Sequence, residues 1–304
     1  MLRSIALLLL LGTALHAGVA ERPTARPLAS PPVPDSGQAP AARGLAAGVS
    51  AWPANMYCSG PMTGTMQPLD PRTVLPRIQL AARCGLRLVI VTPRKFLTTT
   101  GRVKGVFLLD RAKSLTDDYA AQLPPDTLHK YRETLLGMNL ADDYNCRKCW
   151  GGETISQSDI EAWAAYARTR LPGLPLGVRI EPKWVADDPR LAPLLDYTWA
   201  QYHTKKGDQQ QYYDGVARDA QRLGLKVVMG VSVQNCYGGG SGPCRPDDLL
   251  KFGTAAVTNP ASCAFLNWRY DAETWDDPQV QAIWARLLAL ARSRPTTDCR
   301  RAGT

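Results

Sequence analysis

Short apolar runs alternate with amphipathic helical stripes from about residue 48 to residue 292, and this alternation leaves few folds open. Residues 48–52, 86–92 (LRLVIVT), 135–140 (LLGMNL), 176–180 (LGVRI), 196–201, 226–233 and 264–268 read as strands. Between them lie stripes with helical spacing. Val74, Leu75, Ile78 and Ala82 form one, closed by Gly85. Its helix starts at Asp70 or Thr73, and Pro76, tolerated only in a first turn, favours the later start. Residues 110–122 and 126–133 look helical, split by Pro124 and Pro125. Ile160, Trp163, Ala164, Ala167 and Leu171 follow a capping box of Ser158 and Glu161. Tyr213, Val216, Ala220 and Leu223 lie between a cap at Asp208 and a stop at Gly224. Val280, Ile283, Trp284, Leu287 and Leu288 follow Asp277 and Pro278.

Strands that alternate with helices make a parallel sheet. The length suits one (β/α)8 TIM barrel, for which about 250 residues is typical. Seven strands are evident in the sequence. The eighth is expected around residues 105–109, unless the barrel is incomplete. A doubly wound open sheet is the alternative, but its Gly-rich G-x-G-x-x-G turn is missing.

The ends of the chain read differently. Arg3, an apolar stretch over residues 5–15 and the small residues Gly18 and Ala20 give residues 1–20 the pattern of a secretory signal peptide. Residues 21–45 are rich in Pro and Ala and are expected to be a linker. The barrel then occupies 46–304, and the mature protein is expected to be secreted or periplasmic. Export makes the 8 cysteines readable as disulfides. Cys146 with Cys149 and Cys236 with Cys244 are the sequence-local pairings. A zinc site at Cys146 and Cys149 would need a second pair of ligands, and no second C-x-x-C occurs. No metal or cofactor is expected. The formal net charge of +9 comes from scattered arginines, not from a run of like charge. That argues against a nucleic-acid partner and leaves an anionic glycan open. No stable membrane insertion is expected, and the chain is read as a monomer.

The carboxyl ends of the strands carry the chemistry. Alternate residues of a strand share a face. Asn139, Ala141 and Asp143 share one, as do Arg179 with Glu181 and Trp199 with Gln201 and His203. Ser232 with Gln234, and Asn267 with Arg269 and Asp271, continue the series, and Thr92 with Arg94 joins it. One polar strand end is ordinary, because loops begin there. Repeated on strand after strand, such ends suggest a barrel mouth that holds a polar ligand, since burying these groups unpaired costs about 1–3 kcal/mol each. A self-satisfied polar network is the plain alternative. Trp52, Tyr57, Tyr144, Trp150, Trp184, Tyr202, Tyr237, Trp268 and Tyr270 gather at the same ends. Rings beside carboxylates and amides suit saccharides.

Other chemistries are poorly served. After removal of the signal peptide only His129 and His203 remain, too few for a His-rich metal hydrolase. There is no G-x-S-x-G elbow and no P-loop. Carboxylates are the remaining acids, bases and nucleophiles. The strand end through Asn139, Asp142 and Asp143, Glu181 after its strand, and Trp268 together resemble the glycoside-hydrolase-like barrel superfamily, over roughly residues 46–292. The resemblance implies a polysaccharide or oligosaccharide partner and catalysis by two carboxylates. Asp143 is the expected general acid/base, with Glu181 or Asp271 as second carboxylate or nucleophile. Asn139, Arg179, Gln201, His203, Gln234 and Asn267 are expected to bind hydroxyls or an acidic sugar, and Tyr202 and Trp268 to stack on rings. The superfamily's common pattern has Asn-Glu at the fourth strand and Glu at the seventh, from which this chain departs. Its rivals are a non-catalytic saccharide-binding barrel and a structural envelope protein.

Overall fold

A computed structural model describes residues 43–98, 105–240 and 242–301, which belong to one compact unit, Ser36–Thr304. The expected signal peptide and nearly all of the expected linker lie outside the described residues. The order of elements is β1 (Ala46–Val49), β2 (Gly64–Pro68), α1 (Pro71–Arg83), β3 (Arg87–Val91), α2 (Leu109–Gln122), α3 (Pro125–Lys130), β4 (Leu135–Asn139), α4 (Gln157–Arg170) and β5 (Leu176–Val178). It continues through α5 (Pro182–Val185), β6 (Tyr197–Tyr202), α6 (Gln209–Leu223), β7 (Lys226–Val231), α7 (Pro246–Thr258), β8 (Ser262–Asn267), α8 (Ala272–Trp275) and α9 (Pro278–Ser293). The eight strands are parallel in the order β1-β8-β7-β6-β5-β4-β3-β2. This is a (β/α)8 TIM barrel with one open seam, between β1 and β2.

The eighth strand is β2, not the expected segment at 105–109. Phe107 makes only one antiparallel bridge, to Thr98. β2 follows β1 without an intervening α-helix, and Met66 is its one large apolar residue. At the seam, Thr63 donates its N–H to the Ala47 carbonyl at 3.0 Å, and Thr65 Oγ1 donates to that of Val49 at 2.7 Å. Two helix starts also differ from expectation. Asp70 caps α1 by accepting from the Arg72 N–H, so Pro76 lies inside the helix. There the burial of Val74, Ile78, Ala81 and Ala82 outweighs one lost backbone bond. Ser156, not Ser158, caps α4, accepting from Asp159 N–H at 3.0 Å.

Two apolar layers hold the barrel. Outward strand residues and the helix stripes form the larger one. The lumen is filled by Ala46, Met66, Val89, Leu136, Tyr197, Trp199, Val228, Ala264 and Leu266. The Tyr197 ring lies across β4 and β5. A Cβ on Gly177 would sit 2.2 Å from it, and one on Gly137, where φ is +152°, would sit 2.6 Å from it. The register shift beside Gly137 keeps β4 aligned so that Asn139, paired with Val91, stays on the lumen face.

Four disulfides join Cys58 to Cys84, Cys146 to Cys149, Cys236 to Cys244 and Cys263 to Cys299. The last ties β8 to the C-terminal tail. Cys299 packs in the lumen layer, and the Thr297 hydroxyl donates to the Cys263 carbonyl at 3.0 Å. Four disulfides suit an oxidising extracellular or periplasmic setting. Among the described residues no helix is long and apolar enough to cross a membrane.

Candidate functional site

Period-two alternation delivers the inward residues of β4, β5, β6 and β7 to one mouth. A cleft of about 590 Å³ opens there, lined by Asp143, Arg179, Glu181, Trp199, Gln201, His203 and their neighbours. Arg179 is its keystone. Nη1 donates to Asp142 Oδ1 at 2.6 Å and to Asp143 Oδ1 at 2.7 Å, and Nη2 donates to Gln201 Oε1 at 2.8 Å. The guanidinium lies over the rings of Trp199, at 5.0 Å, and Trp268, at 5.8 Å. Its burial opposes the charge, but Asp142 and Asp143 more than offset that and raise its pKa.

The two aspartates differ. Burial raises the Asp142 carboxyl above the usual carboxylate range; Arg179 opposes this and the neighbouring Asp143 adds to it. Asp143 faces the cleft in the left-handed region, at φ 52°, a conformation Asp tolerates better than most residues. Its carbonyl accepts from Cys146 N–H and from Trp150 Nε1, each at 2.9 Å, so the disulfide-closed loop fixes its backbone. Its second oxygen pairs with Arg94 at 3.1 Å, and Arg94 stacks over Trp150 at 5.1 Å.

Glu181 lines the same cleft. It accepts from Lys206 Nζ and, at 3.2 Å, from the Tyr212 hydroxyl. Burial first, then the charge of Glu181, pushes the Tyr212 hydroxyl well above its ordinary pKa, which keeps it a donor. His203 is held towards its neutral form by burial and then by Lys206. Half-buried Tyr144 and Trp184 line the cleft with ring centroids 4.4 Å apart. Three buried polar atoms of expected site residues have no partner among the described residues: Asn139 Oδ1, Gln201 Nε2 and His203 Nδ1.

The structure brings Asp143, Arg179, Glu181, Gln201 and His203 to the cleft, sets Trp268 against Arg179, leaves Asn139 fully buried on the lumen face, and carries four other candidates elsewhere. Asp271 caps α8, accepting from the Thr274 N–H and hydroxyl at 2.9 Å each, and these bonds lower its pKa. It is exposed and outside the cleft. Gln234 donates to the Thr274 hydroxyl beside it, at 3.1 Å. Tyr202 faces outward between Tyr213 and Phe252, its hydroxyl donating to the Gly207 carbonyl at 2.7 Å. Asn267 is one residue out of the expected phase on β8. Leu266 and Trp268 face the lumen layer, while Asn267 splices strands, accepting from Val231 N–H at 2.6 Å and donating to the Gly48 carbonyl at 3.1 Å. Thr92 is likewise off the lumen face, its hydroxyl bonded to the Leu140 carbonyl. Asp142, Lys206 and Tyr212 join the site without having been expected in any role. Asp142 was legible only as the acid beside Asp143, and Lys206 and Tyr212 lie in loop and helix, where strand periodicity says nothing. Among the described residues no group of acidic, His and Cys side chains is arranged to hold a metal.

No protein-family model matches the chain, and no curated protein matches it in sequence. Solved structures do resemble it in fold. An exo-β-1,4-mannosidase from Opitutaceae bacterium strain TAV5 superposes with TM-score 0.55 at 12% identity, over 87% of this chain and 62% of that one. A β-mannanase from Streptomyces thermolilacinus with mannohexaose gives 0.51 at 14% identity, over 80% and 82%. A mannohexaose complex of Thermomonospora fusca β-mannanase gives 0.50 at 13% identity, over 78% and 80%. These neighbours are glycoside hydrolases, and at such identities the likeness is one of fold. It assigns no family.

Proposed function

We propose that the protein is an exported glycosidase-like barrel that hydrolyses a saccharide at the carboxyl-end mouth. The observation that carries this is the single cleft lined by both Asp143 and Glu181, each oriented by cationic side chains, with aromatic rings beside them. In this reading Asp143 exchanges the proton with the glycosidic oxygen. Glu181 is the second carboxylate, acting on the anomeric carbon directly or through water; the separation of the two distinguishes these cases. Asp142 sits behind Asp143 on the shared Arg179 nitrogen and sets the local charge. The disulfides are consistent with export, and the expected partner is a polysaccharide or oligosaccharide.

One observation favours a second reading. Both oxygens of Asp143 are already paired, to Arg94 and Arg179, which suits a binding barrel without hydrolysis. Reducing-end release from a panel of polysaccharides, compared between wild type and Asp143→Asn, separates the two. Release that depends on Asp143 supports hydrolysis; binding without release supports the second reading.

A further inference from the structure

We infer that the cleft is built for an uncharged saccharide, with Gln201 and His203 meeting its hydroxyls and the Tyr144–Trp184 wall its ring face. This rests on the saccharide reading above and narrows the substrate class. The net charge of +9 leaves an anionic glycan open, but the excess does not collect here. The charged residues lining the cleft are Asp143, Glu181 and Asp187 against Arg179, Lys183 and Lys206. Signs balance, and two of the three cations are committed. To bind a uronate, Arg179 would have to leave Asp142, for which it is the ion-pair partner, and Asp143, which would keep only Arg94, bringing two adjacent carboxylates against each other with a single cation between them. Lys206 is likewise held by Glu181 and Tyr212. Lys183 is exposed, in a cleft it shares with Asp187. His203 adds no charge, for the reasons given above.

The buried polar atoms of the cleft wall that have no partner among the described residues are neutral. Gln201, 6% exposed, has Nε2 free to donate while its Oε1 is occupied by Arg179. His203 Nδ1, also in the cleft wall, serves either way according to tautomer. Buried polar groups almost always have partners. A hydroxyl both donates and accepts, so a sugar answers Gln201 with either tautomer of His203, whereas a carboxylate, which only accepts, answers His203 only when Nδ1 carries the proton. The Tyr144 and Trp184 rings supply the apolar surface that sugar C–H faces need.

The test is calorimetric titration of the full chain with a neutral hexose oligosaccharide and with a hexuronate oligosaccharide of equal length, each at low and high salt. The expected result is binding of the neutral sugar with an affinity that salt changes by less than about twofold, because no ion pair forms with the ligand. Gln201→Leu should weaken it about tenfold, and Trp184→Ala, which removes a half-buried ring that packs on the core's edge and lines the cleft, by a similar factor in a variant whose thermal melt shows it folded. Binding of the hexuronate alone, weakening with salt, would overturn the inference and leave the saccharide reading standing. Neutral binding indifferent to both substitutions would overturn the placement in this cleft. Binding of neither sugar would overturn both.

Discussion

Replacing Arg179 with Met keeps much of its volume and removes its charge and all three of its bonds to Asp142, Asp143 and Gln201. Breaking a buried ion pair by deleting one partner costs roughly 3–5 kcal/mol. Here the carboxylates are 19% and 38% exposed, so water recovers part of that, and a loss of about 2–3 kcal/mol is expected from the low end of that range. The loss should depend on pH. Burial already raises Asp142, and Arg179 is the largest influence lowering it. Without Arg179 the carboxyl rises further in the folded state, while in the unfolded chain it stays near its ordinary value of about 3.9. A carboxyl raised by folding binds its proton more tightly in the native state. Its destabilisation is therefore complete above the folded pKa and disappears as pH falls through that value towards the unfolded one. Urea denaturation followed by tryptophan fluorescence, wild type beside Arg179→Met at pH 8 and pH 5, reads both effects. The variant's deficit should be largest at pH 8 and shrink at pH 5. A deficit below about 1 kcal/mol at pH 8, the value of an ordinary surface pair, or one that grows on acidification, would refute the keystone role.

Other perturbations test other parts of the account. Cys263→Ser with Cys299→Ser opens a loop of sequence separation 36; chain-entropy arithmetic gives about 4 kcal/mol, and calorimetry should show a melting point lower by about 8–16 °C, at 2–4 °C per kcal/mol for a domain of this size. Gly177→Ala drives a methyl into the Tyr197 ring, so thermal melts should show a loss of at least about 1–3 kcal/mol from overpacking. Asp271→Ala should lower stability slightly, through loss of the α8 cap, and leave any glycan release unchanged. Glu181→Gln should abolish that release while the thermal melt stays close to wild type.

The alternation of apolar runs and stripes made the barrel legible, because burial on both faces forces parallel strands to be apolar. What it hid follows from the same rule. β2 is short, carries a single large apolar side chain and has no helix before it, so it does not interrupt the pattern as a strand should. α7 escaped notice because Pro246 and the Asp247–Asp248 pair, which start it, look like loop chemistry. At the site, strand phase placed Asn139, Asp143, Arg179, Glu181, Gln201 and His203 correctly on the inward side. It failed on β8, where the phase is one residue off, and beyond strand ends such as Gln234 and Asp271, where the chain leaves the sheet and period two no longer applies. Tyr202 sat beside a correctly phased Gln201 and therefore faces outward. Lys206 and Tyr212 come to Glu181 through tertiary packing that no local pattern records.

The most direct test of the central claim is reducing-end release from a panel of neutral and anionic polysaccharides by wild type, Asp143→Asn and Glu181→Gln. Hydrolysis at this cleft predicts release from at least one glycan by the wild type, falling at least about a hundredfold in each variant, the lower bound for loss of a general acid or base. Release that persists unchanged in both variants, or none on any glycan, would contradict it.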